Sequence, residues 1–587
     1  MKFVLVFMYC SLSFSLTYAQ SADNKELAAL FNEYTKDSYR IFPLTATYNG
    51  DNRYNHLLPA AFTESYIALQ KFFYDGFLEA IKKFDRNKLN DNDKLSYDIF
   101  KRDMEIALEG LSYKTNLIPF TQFSGLQLTM GQLGAGTGAQ PFKTVKDYED
   151  WISRVNLFAV WADSAIIYFR KGIEQKIVLP KAMVVKMIPQ LEALQVEDVT
   201  KSIFYEPVKK FPGSFSEAEK AKLTEAYKKL VAEQINPTYK KLATFIKNEY
   251  LLHARTSSGI GALLEGDKLY NYMIRYYTTT NKTPEEIYNT GLSEVKRIRG
   301  EMEKIMRQVN FNGTLDSFFT YTKTNPKFLP YKTADEVLNA FRAIQKKIEP
   351  HLNSLFTLRP KTPFEIRQTE AFRAASAAPQ YFSGLPDGSR AGIFYVPIVD
   401  ATKVTPAEEC VFLHEAIPGH HFQIMLQKGN KRLPAFRQNG GNSGYTEGWG
   451  LYCESLGKEL GCYTDPYQHF YALGFEMHRA IRLVTDAGIH SKGWTREQAI
   501  EYMRSNEPIT EQFAVAEIER YMVLPGQALS YKIGELKIKE LRDRYSKQLG
   551  SKFRIASFHE EILKDGAMPL TTLEQKMDAW AKRVEAL

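Results

Sequence analysis

The chain has 587 residues, 44% of them hydrophobic, enough for a sizeable core in two lobes or one large domain. Its 76 basic and 68 acidic residues are interspersed and leave a net charge of +8, with no basic run interleaved with aromatics, which excludes a nucleic-acid partner. Four cysteines are too few for a disulfide framework.

Met1 and Lys2 precede an apolar run from Phe3 to Leu16, and Thr17-Tyr18-Ala19 puts small residues at the cleavage positions. Residues 1–19 therefore read as a signal peptide and predict a secreted or periplasmic protein. The run is short for a bilayer span and no second stretch is long enough, so no membrane span is expected after cleavage. The remainder divides into an N-terminal helical lobe over 20–355 and a second lobe over 356–587, unless one continuous domain spans both.

Five glycines punctuate Ser124–Gln140 without a phosphate-loop or dinucleotide pattern, so this stretch reads as a loop. Long helical periodicities follow. Glu217–Tyr250 is capped by Ser216 and Glu219, with a kink or break expected at Pro237. Thr283–Val309, Thr333–Pro350, Thr495–Arg504 and Ile533–Leu549 also read as helices. Strand signals are few. Gly392–Val399, after a Pro-Asp-Gly turn, is apolar and β-branched, and Pro397 within it predicts an edge strand. Such an edge can take an extended peptide by strand addition, with Tyr395 among the substrate contacts.

Downstream, Val411-Phe-Leu-His414-Glu415-Ala-Ile-Pro418-Gly419-His420-His421 places three of the chain's ten histidines within eight residues. It is related to the His-Glu-x-x-His zinc motif, in which two His bind the metal and the Glu activates a water. The second His comes late. On an unbroken helix His420 would sit about 120° around from His414, and His421 about 10 Å along the axis. Neither could share an ion with bonds of about 2.0–2.1 Å. Pro418 and Gly419 supply a break that can return His420 to the metal. Thr405, Pro406 and Glu408 read as N-cap, first helical position and capping-box partner. His421 stays open as a competing ligand or as a supporting or cleft residue.

The third ligand must come from elsewhere. Gly444-Tyr-Thr-Glu447-Gly-Trp-Gly450-Leu-Tyr-Cys-Glu454 carries two carboxylates two turns apart on one helical face, so only one of them can bind the ion. Thr446-Glu447-Gly448-Trp449 resembles the segment that supplies the third ligand in the aminopeptidase branch of the Glu-zincins. That resemblance assigns Glu447 to the metal and leaves Glu454 to buttress a ligand His or bind substrate.

Most of the chain resembles the secreted and lipoprotein family known as domain of unknown function 885, grouped with zincin-like metallopeptidases. The resemblance rests on an ordered set of segments: Phe42-Pro43-x-x-Ala46-Thr47-x-x-Gly50-x-x-x-Tyr54, Asp387–Val396, the His414 motif, Asp486-Ala-Gly-Ile-His490-x-x-Gly493-Trp494, and Arg520-Tyr-x-x-x-Pro525-Gly-Gln-Ala-x-Ser530-Tyr531-Lys532-x-Gly534. Ala391 and Gly450 stand where the family often has Pro and Ala, and neither is expected to touch a ligand. The resemblance implies a mainly α, zincin-like metallopeptidase fold whose small edge sheet lies beside the metal helix, with the catalytic lobe at 356–587.

The expected activity is hydrolysis of peptide substrates by one zinc ion on His414, His420 and Glu447, with Glu415 as general base. A second electrophile is needed beside the metal, and Tyr531 and His490 are the candidates. Arg390, Arg520 and Lys532 are candidates for a substrate carboxylate. The alternatives are a zinc hydrolase of esters or non-peptide amides, and a binding protein with a vestigial metal site.

Overall fold

The computed structural model describes residues 24–586 except 137, 370–373, 375–377 and 389. The expected signal peptide, its Cys10, and Ser389 of the Asp387–Val396 segment lie outside the described residues. Among the described residues the protein is mainly helical with one three-stranded sheet. Among the described residues no helix is long and apolar enough to cross a membrane.

Helix starts follow local capping. Ser216 and Glu219 form both bonds of a capping box at the head of Glu217–Lys229, as do Thr283 and Glu286 at the head of α1 (Pro284–Gln308). Thr333 and Glu336 cap α2 (Ala334–Leu355) in the same way, and Pro350 lies within that helix rather than ending it. The run from 217 to 253 stays helical through Pro237. A π-helical segment, Leu230–Ile235, precedes the proline and widens the turn there, so the expected break is absorbed. The glycine-rich stretch expected to be a loop contains the helix Leu126–Gly134. Gly134 is needed because a Cβ there would lie 2.6 Å from the Phe204 ring and 2.8 Å from that of Trp151.

The sheet holds β1 (Phe364–Gln368), β2 (Gln380–Phe382) and β3 (Gly392–Val396) in the order β1-β3-β2. β3 runs parallel to β1, with Phe364 opposite Gly392, and antiparallel to β2, with Tyr381 opposite Phe394. The edge-strand expectation for Gly392–Val399 is thus corrected: β3 is the central strand. It ends at Val396, so Pro397 lies just outside the ladder and costs no sheet hydrogen bond. The turn before it is present, with Gly388 at φ +78°.

Beyond the sheet come α3 (Glu408–Glu415), α4 (His420–Gly429), α5 (Ser443–Ser455), α6 (Pro466–Ser491), α7 (Glu511–Val523) and α8 (Ser530–Leu549). The largest hydrophobic cluster joins Val337, Phe341 and Ile348 of α2 to Phe394, Phe412, Trp449, Ile533 and Leu573. One core therefore crosses position 355/356. At the centre of this layer α5 and α8 meet backbone to backbone: a Cβ on Gly448 would lie 2.5 Å from the Gly534 Cα, and one on Gly534 would lie 1.9 Å from the Gly444 carbonyl oxygen.

Candidate metal centre

The His414 segment forms two helices rather than one. α3 ends at Glu415, Ala416–Gly419 turns, with a cis Ile417–Pro418 bond, and α4 begins at His420. Trp449 fixes the turn by donating its Nε1–H to the Pro418 carbonyl at 2.9 Å. Gly419 is required by crowding and not by a left-handed backbone. A Cβ there would lie 1.9 Å from the His414 carbonyl oxygen, while its φ is −74°. The start of α3 departs from expectation: Ala407, not Thr405, holds the N-cap position, with no side-chain cap. Tertiary partners take its first carboxylates. Glu408 accepts from the Tyr331 hydroxyl, and Glu409 pairs with Lys347 at 2.6 Å and accepts from the Tyr463 amide.

The turn brings His420 to His414, their rings 4.7 Å apart and nearly perpendicular. Glu447 of α5 completes a trio. Its Oε2 lies 3.6 Å from His414 Nε2 and 3.5 Å from His420 Nε2, and all three ligand atoms fall within 4.8 Å of one another. These separations are long for hydrogen bonds. They match the roughly 3.3–3.4 Å that separates two atoms bound tetrahedrally at about 2.0–2.1 Å to one zinc ion. Two imidazoles and one carboxylate are also the donor types that zinc takes.

The surroundings tune the trio. Glu454, two turns along α5, lies with its Oε1 2.8 Å from His414 Nδ1 and accepts that ring's proton, which points Nε2 at Glu447. Burial lowers the His414 pKa, but the carboxylates of Glu447 and Glu454 outweigh it and lift it to about 9. Glu447 is raised by burial, yet the two imidazoles hold it well below the usual carboxylate range. Burial raises Glu415, which borders the trio, and the imidazoles of His420 and His414 oppose that rise. His420 Nδ1 is buried without a partner among the described residues.

His421 turns to the sheet instead. Its Nδ1 lies 2.9 Å from the Tyr381 hydroxyl, its ring packs on Phe364, and burial takes it down to about 4. Gly392 makes room for this pair, since a Cβ there would lie 2.4 Å from the Tyr381 oxygen and 2.7 Å from His421 Nδ1. Tyr531, in the first turn of α8, lies parallel to His414 with ring centroids 6.4 Å apart. The Arg482 guanidinium lies over its ring, 4.6 Å from the centroid.

Other expected site residues lie elsewhere. His490 is 1% exposed, and both ring nitrogens are taken by backbone: Nδ1 accepts from the Ile260 amide, and Nε2 donates to the Tyr521 carbonyl at 3.0 Å. It is eleven residues along α6 from Arg479, which borders Glu454, or about 16 Å of helix. His490 is thus a structural bridge with no free nitrogen for an oxyanion. Lys532 is fully buried among Glu294, Glu476 and Glu535 and cannot meet a substrate carboxylate. Arg520 donates to Gln527 and lies over the Phe123 ring, and Arg390 is exposed on the turn before β3. Tyr395 faces Phe382 across the β2–β3 pair.

Three contributors were not read from the sequence. Arg479 approaches Glu454 Oε1 at 3.8 Å. Arg482, bonded to Glu517 and Tyr521, supports Tyr531. Gly450, not expected to touch a ligand, lies against His414: a Cβ there would be 2.8–3.1 Å from three ring atoms. The visible signal was two arginines three apart in the apolar stretch Met477–Ile489.

A family model described as "Bacterial protein of unknown function (DUF885)" matches residues 43–577. Comparison with curated proteins gives no match. Two solved structures resemble the chain. A "putative lipoprotein" from Colwellia psychrerythraea is 27% identical over 95% of this chain and 99% of that one, with a TM-score of 0.87. A "putative lipoprotein of unknown function" from Shewanella oneidensis is 20% identical over 94% and 99%, with a TM-score of 0.75.

Proposed function

The chain belongs to the DUF885 family, and we propose that it is a zinc-dependent hydrolase of the zincin type that cleaves peptide bonds. The observation that carries this reading is the trio of His414, His420 and Glu447 at zinc-ligand spacing, with Glu415 beside it. When bound, zinc supplies a Lewis acid that acidifies water and polarises an acyl oxygen. The chain's own groups do the rest. Glu415, its carboxyl raised by burial, takes the proton of the attacking water and passes it to the leaving amine. Glu454 holds His414 in the tautomer that presents Nε2. Tyr531, whose ring lies beside His414 and under Arg482, is the group we assign to donate its hydroxyl to the developing oxyanion. Peptide pairing, if by strand addition, falls to β1 or β2, because β3 is paired on both sides. The likeness to the Colwellia lipoprotein favours an extracytoplasmic location.

The test is metal analysis of the purified protein together with mass-read cleavage of a diverse peptide library. One zinc per chain with peptide cleavage is expected. Glu415→Gln should keep the metal and lose about 10²–10⁴-fold in rate. A chain that binds no zinc, or a metal-loaded Glu415→Gln that still cleaves, overturns the reading. Ester cleavage without peptide cleavage would move the substrate class to acyl esters.

A further inference from the structure

A cavity of about 450 Å³ opens where six helices and the loop before α5 converge. Tyr34 and Tyr39 enter it from Lys25–Ile41, Tyr74 from Glu64–Lys82, Asp103 from Asp91–Gly110, and Tyr276 and Tyr277 from Gly266–Thr278. Its size is that of a small-molecule site.

Some polar groups on these walls serve the protein, as Arg102 does by donating to the Arg275 carbonyl, but its tyrosine hydroxyls do not. Among the described residues, none of the five tyrosine hydroxyls has a hydrogen-bond partner, nor does the Asp103 carboxylate. These tyrosines are open to solvent, Tyr276 exposed and the other four partly so, whereas the fully buried Tyr148, Tyr239, Tyr250, Tyr270 and Tyr445 are each bonded within the protein. The only charged residues on the walls are Arg102 and Asp103, 3.7 Å apart, so the site is neutral as a whole and a cationic ligand would meet Arg102 as well as Asp103. The amides of Asn49 and Asn439 add donors and acceptors. Aromatic faces beside solvent-accessible hydroxyls that no protein group occupies suit a neutral ligand that has apolar C–H faces and a rim of hydroxyl groups.

We propose that this tyrosine-lined cavity binds a carbohydrate ring, and that the ring is part of a glycosylated substrate presented to the zinc site. The second half rests on the hydrolase reading; the sugar site itself does not. Ser443 joins the two places. It lies on the cavity wall and begins α5, one turn before Glu447 on the same face, and its hydroxyl donates at 2.9 Å to Ser530, the neighbour of Tyr531.

The test uses the purified full-length protein with neutral chito-, malto- and xylo-oligosaccharides, and with n-butylamine as a cationic comparison. Binding is followed by saturation-transfer NMR and calorimetry. At least one oligosaccharide should bind. Combining Tyr34→Phe, Tyr74→Phe and Tyr276→Phe keeps the rings, removes only hydroxyls that no protein group uses, and should weaken binding about tenfold or more at an unchanged melting temperature. Asp103→Asn is a second probe should the triple variant fail to fold, and it too should weaken binding. No binding by any oligosaccharide, undiminished binding by the folded variants, or uptake of the amine alone overturns the proposal. Glu415→Gln should bind sugar as the wild type does. A protein that binds sugar but cleaves nothing therefore counts against the hydrolase reading and not against the sugar site.

Discussion

Two adjacent residues at the start of α8 face two different assemblies of buried charge. Lys532 enters a cluster that is complete: it meets Glu294 at 2.9 Å and Glu476 and Glu535 at 2.6 Å, and Arg297 and Lys539 balance the remaining negative charge. Tyr531 borders one that is not. There Glu415, Glu447 and Glu454 surround two imidazoles, and the nearest guanidinium, Arg479, stands 3.8 Å from Glu454. The first assembly supplies its own counter-ions within hydrogen-bond range. The second holds its donors at distances too long for one another and suited to a shared divalent ion. Burial of charge alone does not make a candidate site; burial of charge that the chain leaves unbalanced does.

The sharpest way to break this comparison is to open the complete cluster. Lys532→Met removes the central cation shared by three carboxylates, leaves only Arg297 and Lys539 against them, and should cost about 3–5 kcal/mol of stability, read by urea denaturation. A loss below about 1 kcal/mol would mean that water already reaches the cluster and that the contrast is false. Next in size is the support of the incomplete one. Glu454→Gln should lower zinc affinity about 10–100-fold in a chelator competition, with the fold intact. Unchanged affinity would remove Glu454 from any role in orienting His414. The smallest effect concerns a third buried carboxylate, neither paired with a cation nor suited to a metal. Asp486 accepts from the Tyr270 hydroxyl at 2.6 Å and from the Gly526 amide, and burial carries it up to about 7 against those bonds. The folded chain thus holds this proton where the unfolded chain has released it. Stability contributed here is full at low pH and falls as pH rises from about 4 through about 7. Asp486→Asn should flatten that slope in denaturation series across the same range, and an unaltered slope would refute the assignment.

How far the molecule could be read from its residues depends on how local each cause is. Capping boxes at Ser216 and Thr283 act over three residues and were legible, and so was a break at Pro418-Gly419. The start of α3 was not, because Glu408 and Glu409 answer to Tyr331 and Lys347, more than sixty residues away. The same holds for Lys532 and His490, which looked like site residues in sequence order and are claimed by distant carboxylates and by backbone groups. β3 looked like an edge because of Pro397, but a strand can stop one residue before a proline and still be central. His420 and His421 could not be told apart by spacing. Which way each ring points was decided by the Gly392 notch that admits the His421–Tyr381 pair.

The glycine contact between α5 and α8 bears on how this protein can diversify. No side chain stands between these helices at Gly448 and Gly534, so main-chain contact sets the span from Glu447 to Tyr531. A larger residue at either glycine cannot be accommodated by a rotamer change, and that wall behaves as a fixed gauge. If the chain is the hydrolase proposed above, new substrate preferences would have to be written on the remaining walls, where side chains can be exchanged without changing the span from Glu447 to Tyr531.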